Sequence, residues 1–223
     1  MRKLLSSLLF LPILGVNAQV SSDVKSDFNA MFRDSTLRID YNFTGTSQTQ
    51  EIALDELHVS KGWYGRRVNM QKLPLAGNGQ IVMKDSQSGR EIYKASFSTL
   101  FQEWQTSEEA TQMRKSFENT FQLPFPRRDA KVEVTLFNTH REPIYMFEHQ
   151  VKVDDILIRP LPTLPQHPYK YIHHGGESKK CIDVAIVAEG YTAAESNVFY
   201  ADAERATQEI LKYKPFSDFK DRF

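Results

Sequence analysis

The sequence predicts a mainly β protein, an N-terminal β-sandwich followed by the opening of an α/β domain, one strand and one helix. Three observations carry this. From Leu37 to Val153 short runs alternate apolar and polar residues between turn-forming clusters, as half-buried strands do. Four prolines (Pro160, Pro162, Pro165 and Pro168) then fall within nine residues. After residue 180 the period changes to a continuous apolar run and a helical stripe.

The first residues have the layout of an export signal. Arg2 and Lys3 form a positive start, Leu4 to Val16 is apolar except for Ser6, Ser7, Pro12 and Gly15, and Val16-Asn17-Ala18 ends the segment as a signal peptidase site does. The stretch is shorter than the ~20 residues of a membrane-spanning helix, and Gln19 and Val20 offer no cysteine for lipidation. Residues 1–18 are therefore expected to be cleaved before Gln19, leaving a secreted or periplasmic chain with no membrane anchor. The one cysteine, Cys181, excludes an internal disulfide. Lys+Arg and Asp+Glu number 28 each in 223 residues, which gives no electrostatic reason to expect nucleic acid as a partner.

The sandwich is placed at residues 20–160. Leu37 to Phe43 alternates cleanly and Ile52 to Val59 less so. Gly77-Asn78-Gly79 marks a turn. Gln80–Lys84 and Arg90–Phe97 flank Asp85-Ser86-Gln87-Ser88-Gly89 and predict a hairpin, with the second strand continuing from Phe97 to Trp104. Thr106 and Glu109 have capping-box spacing, and Ala110, Met113 and Phe117 predict a helix ended by Leu123-Pro124-Phe125-Pro126. Val132, Val134 and Leu136 share one face of the next strand, and Ile144 to Val153 returns. About seven strands in about 125 residues predict a sandwich.

Residues 161–180 read as a proline-rich, semi-rigid linker. Residues 181–223 begin the second domain. Ile182 to Ala188 is apolar enough for a strand buried on both faces, Glu189-Gly190-Tyr191 is a turn, Thr192 and Glu195 form a capping box, and Phe199, Ala203, Ala206, Ile210 and Tyr213 make a helical stripe. One strand under one helix leaves a sheet face and both edges bare, so the domain is expected to continue beyond Phe223.

Few residues point to chemistry. No His-Glu-x-x-His occurs, nor a nucleophile elbow, P-loop or dinucleotide loop. His173, His174, Glu177 and Cys181 cluster without the spacing of a structural zinc site and read as solvated linker. Asp154-Asp155 sends its carboxylates to opposite faces and reads as a turn. Two candidate sites remain. Trp63, Tyr64, Arg66 and Arg67, between Gly62 and Gly65, form an aromatic and basic loop able to contact carbohydrate or peptide, although Trp63 also reads as a cap on the core. Glu189, Tyr191 and Thr192 sit at the carboxyl end of the predicted second-domain strand, the edge where ligands collect in open α/β sheets. Glu189 and Tyr191 are expected to project freely there.

Several motifs resemble a known family. Gly77-Asn78-Gly79-Gln80-Ile81, Ile92-Tyr93, Ser96 to Trp104, Phe117-Glu118-Asn119, Pro124-Phe125-Pro126 and Asp154 to Ile158 resemble the N-terminal domain of secreted bacterial IgA-type metallopeptidases. Cys181 to Thr192 resembles the first strand and turn of that family's catalytic domain. The resemblance implies a zinc endopeptidase acting on a protein or peptide substrate, in which a His-Glu-x-x-His helix holds zinc and its Glu activates the bound water. That helix is expected beyond Phe223. No catalytic or metal-binding residue is therefore expected among these 223, and zinc belongs to the longer protein. The alternative reading is a secreted carbohydrate- or protein-binding sandwich attached to an unrelated α/β domain.

Overall fold

A computed structural model describes residues 27–73, 75–162, 167–177 and 180–223. The predicted export signal and its junction at Gln19 lie outside the described residues. The chain divides into two compact units between Pro162 and Thr163.

In the first unit a short helix α1 (Phe28–Met31) is capped by the Asp27 carboxylate, which accepts from the Asn29 amide. Eight strands follow: β1 (Phe32–Gly45), β2 (Gln50–Lys61), β3 (Gly79–Asp85), β4 (Glu91–Phe97), β5 (Lys115–Pro126), β6 (Ala130–Phe137), β7 (Pro143–Val151) and the two-residue β8 (Arg159–Pro160). They form two four-stranded sheets, in the orders β5-β1-β2-β8 and β4-β3-β6-β7. Every pairing is antiparallel except that of β2 with β8. The expected mainly β sandwich is thus the observed fold.

Alternation explains the core. Leu37, Ile39, Tyr41 and Phe43 of β1 and Val132, Val134 and Leu136 of β6 are fully buried, while Arg38, Asp40, Asn42, Lys131 and Glu133 beside them are half-exposed. Aromatic rings fill the space between the sheets: Phe97 of β4 meets Phe121 of β5 edge-on at 4.6 Å, and Phe43 meets Phe97, Phe101 and Phe121. Such ring pairs add to the area they bury.

The predicted hairpin forms around Asp85. Its side chain accepts from the Ser88 amide (2.8 Å) and hydroxyl (2.7 Å), and Gly89 takes a positive φ of 69°. The Ser88 hydroxyl, with the Ser88 amide and the Arg128 guanidinium 3.3 Å away, holds the buried Asp85 carboxyl below its usual pKa despite the cost of burial. At the other end of β3 close approach decides the residues. A Cβ on Gly77 would lie 2.1 Å from the Phe97 carbonyl oxygen, and one on Gly79 would lie 2.2 Å from the Phe97 ring.

Three expected elements differ. Leu100 to Trp104 is a helix, α2, and not the end of β4, because the Thr99 hydroxyl accepts from the Gln102 amide and caps it. The helix expected from Ala110 through Phe117 stops at Gln112 (α3, Glu109–Gln112), and Lys115 to Pro126 is strand β5. Phe117 and Phe121 fit a helical spacing and a strand spacing equally, and pairing with β1 from Gly45↔Lys115 to Thr36↔Pro124 decides between them. Glu109 caps nothing there; its carboxylate accepts from Trp104 Nε1 (2.8 Å) and Lys115 Nζ (2.6 Å). Pro124 and Pro126 fit because β5 is an edge strand, where a missing N–H leaves no neighbour unpaired.

The third difference is in the second unit. Ile182 to Ala188 takes no regular secondary structure and pairs with no strand among the described residues, and Ile182, Val184, Ile186 and Val187 are exposed. An apolar run becomes a strand only when a neighbour takes its main-chain bonds. The expected helix is present as α4 (Ser196–Ile210), entered through a 3-10 turn at Ala193–Glu195. Another 3-10 segment, Phe216–Arg222, follows, and the chain end lies against Gly175 and Ile182: Gly175 N–H donates to Phe223 O and Ile182 N–H to Arg222 O, both at 2.7 Å. No helix among the described residues is long and apolar enough to cross a membrane.

Candidate functional site

In the second unit, Gly190 adopts a φ of 79°, a left-handed conformation at the turn from the apolar run into the helix. Thr192 and Glu195 form the expected capping box: the Glu195 carboxylate accepts from the Thr192 amide (2.9 Å) and hydroxyl (2.7 Å). These bonds, the amide's first, hold the Glu195 carboxyl below its usual pKa.

Tyr191 is not free, contrary to the sequence expectation. Its hydroxyl donates to Asp202 Oδ2 (3.0 Å) and its ring meets Phe199 edge-on at 5.4 Å, both residues lying in the first two turns of α4. The bond to the Asp202 carboxylate raises the phenol pKa. The spacing from 191 to 199 and 202 is legible only once the capping box fixes where the helix starts. Glu189 is exposed beside this turn.

In the sandwich, the loop after β2 brings Trp63, Arg66 and Arg67 together, with Trp63 turned inward and both arginines bound to the protein's own groups at the surface. Trp63 is 6% exposed, meets Tyr93 edge-on at 5.8 Å and donates from Nε1 to Arg66 O (3.0 Å). The Arg66 guanidinium donates to the carbonyls of Asn69, Lys72 and Lys94 and lies 5.4 Å from the centre of the Tyr93 ring. Arg67 pairs with Asp34 (2.6 Å) and covers the Phe28 ring at 4.7 Å. Tyr64 projects furthest, at 92% exposure. The loop is a clamp closed by its own arginines.

The linker cluster does not converge on a metal. His173 Nε2 is 2.7 Å from Lys220 O, and the Cys181 thiol contacts Asp221 O at 3.5 Å. Among the described residues no three His, Cys, Asp or Glu side chains stand together as a metal site would require. Asp154-Asp155 lies in a turn, where Asp155 accepts from the Leu157 amide (2.9 Å).

One polar constellation was not legible beforehand. On the outer face of the first sheet Asp40 accepts from Arg38 Nε (3.0 Å) and the Thr120 hydroxyl (2.5 Å). His58 Nε2 donates to Glu56 (2.8 Å), and Glu56 also accepts from Arg159 (3.2 Å). His58 Nδ1 is buried without a hydrogen-bond partner among the described residues. Cross-strand register assembles this network from four strands, and sequence spacing carries no trace of it. It bridges strands and presents no aligned nucleophile.

Two family models match in succession, one described as Peptidase M64 N-terminus over residues 27–148 and one as IgA Peptidase M64 over residues 171–223. The first coincides with the sandwich from α1 into β7, and the second with the turn, its capping box and α4. A search of curated proteins found no match. With more than half of the chain matched by the first model alone, the chain belongs to the peptidase M64 family.

Proposed function

We propose that this chain forms the N-terminal, accessory part of a secreted zinc-dependent endopeptidase, with its catalytic zinc held by residues outside these 223. The succession of the two family matches along one chain carries this reading. The export-signal pattern of residues 1–18 supports a secreted or periplasmic location. The residues present do not fit the metal: the linker histidine His173 and Cys181 are turned toward backbone carbonyls, and no His-Glu-x-x-His occurs. No catalytic step is assigned to them. In this reading the turn at Glu189, Tyr191 and Thr192 supports one wall of the substrate cleft, and the substrate is a protein or peptide.

The test is to read the coding sequence past codon 223 and to purify the longest protein it encodes. The expected result is a His-Glu-x-x-His motif, one zinc per chain, and casein hydrolysis that a chelator abolishes and added zinc restores. Casein hydrolysis that survives complete removal of zinc, or a longer chain without the motif, overturns it.

A further inference from the structure

The free edge of β4 is covered along only part of its length. Lys94 N–H donates to Met70 O (2.8 Å), and Lys94 C=O accepts from Arg66. Both groups therefore point away from β3. In an antiparallel pair, residues alternate between those that exchange both main-chain bonds with the neighbour and those that exchange neither. Lys94, opposite Val82, is of the second kind, so Ser96, opposite Gln80, is as well. The Ser96 N–H and C=O thus point out from the same edge. Among the described residues no loop group bonds them; only the Ser96 hydroxyl is engaged, by Gly77 N–H and Gly79 O.

This uncovered stretch opens onto a groove of about 610 Å³, lined by Arg66, Leu75, Tyr93, Ala95, Phe97 and Ser98 among others. Its walls are mostly apolar and its cation is Arg66. Three of the five guanidinium N–H bonds go to carbonyl oxygens, and no carboxylate among the described residues pairs with the group. Neutral carbonyls do not cancel its charge, so Arg66 brings a positive group to one end of the groove.

We propose that this groove docks an extended, acidic segment of another protein, which adds to the second sheet as a fifth strand along β4. The Ser96 main chain supplies a donor and acceptor that match an extended backbone, Leu75, Ala95 and Phe97 receive an apolar side chain, and Arg66 attracts a carboxylate. The proposal does not rest on the peptidase reading, since it uses the sandwich alone.

The test is amide NMR and hydrogen exchange on the full 223-residue chain with a capped Thr-Val-Thr-Val-Asp-Asp peptide. A contact this small gives a dissociation constant of about 0.1–1 mM. The Ser96 and Ser98 amide signals shift, and Ser96 N–H exchange slows roughly tenfold at saturation. Full N-methylation of the peptide abolishes the effect. Replacing its aspartates by asparagines weakens binding about threefold, and Leu75→Asp in the protein weakens it about fivefold. Leu75 is 82% exposed, so that variant folds. The proposal is overturned if Ser96 does not respond, if the N-methylated peptide binds equally, or if the shifts map to β5 or β7. A concentration-dependent shift at Ser96 without peptide would assign the edge to a second copy of this chain and would also overturn it.

Discussion

The hydroxyl of Tyr41 and Nε2 of His149 lie 2.7 Å apart and join the two sheets across the sandwich, Tyr41 on β1 and His149 on β7. Tyr41 is 1% exposed, and burial pushes its pKa far above the usual tyrosine value. Burial lowers the pKa of His149. The neutral imidazole satisfies both neighbours: Nδ1–H donates to Gln150 O (3.2 Å), and Nε2 accepts from the Tyr41 hydroxyl.

That pair sets a pH dependence. The unfolded chain binds a proton at this histidine at a higher pH than the folded chain, so the contribution is fully present above the unfolded pKa of about 6.5 and is lost as pH falls through and below it. The melting temperature is expected to fall between pH 7 and pH 5.5, and His149→Gln is expected to flatten that slope. An unchanged slope in the variant would assign the dependence to another group. Tyr41→Phe leaves Nε2 without its donor and is expected to cost about 1–3 kcal/mol at pH 7 in denaturant unfolding.

Leu136 is completely buried on β6, opposite Gly79 on one side and Tyr145 on the other. Leu136→Ala is expected to cost about 2–5 kcal/mol, measured by urea unfolding. A loss below ~1 kcal/mol would mean that the aromatic neighbours collapse into the space.

Gly77→Ala forces a Cβ against the Phe97 carbonyl, a main-chain atom that cannot swing aside. The expected loss is about 1–3 kcal/mol. Gly89→Ala meets no atom within 4 Å and pays only for its positive φ, so the Gly77 variant should be the less stable of the two by thermal melting.

Arg66→Lys replaces a fork on three carbonyls by a single ammonium. Amide exchange at residues 66–73 and at Lys94 is expected to accelerate while β1 and β6 remain protected. Uniform acceleration across the sandwich would show that the loop folds as one unit with the core.

Tyr191→Phe removes the bond to Asp202 and keeps the ring on Phe199. If the tyrosine only braces the turn, amide exchange at residues 192–200 rises and kcat/KM of the longer enzyme is unchanged. The cleft reading expects kcat/KM to fall with an unchanged melting temperature.

Much of the sandwich was written locally. Alternation marks β1 and β6, Asp85 to Gly89 contains its own hairpin bonds, and the capping box at Thr192 lies within four residues. Ala110, Met113 and Phe117 fall at helical intervals, yet Phe117 also suits a strand, and only the opposite strand β1 removes the choice. Ile182 to Ala188 carries the composition of a buried strand, yet strand pairing needs a neighbour, and none of the described residues takes that place. The candidate loop shows the same division. Its residue types announce an aromatic and basic surface, whereas the carbonyls that capture Arg66, from Asn69, Lys72 and Lys94, come together only in the folded chain. Sequence by itself determined the elements whose hydrogen bonds close within a few residues. Tertiary structure decided those whose partners are distant, because a backbone donor or a guanidinium adopts whichever conformation brings it hydrogen-bond partners.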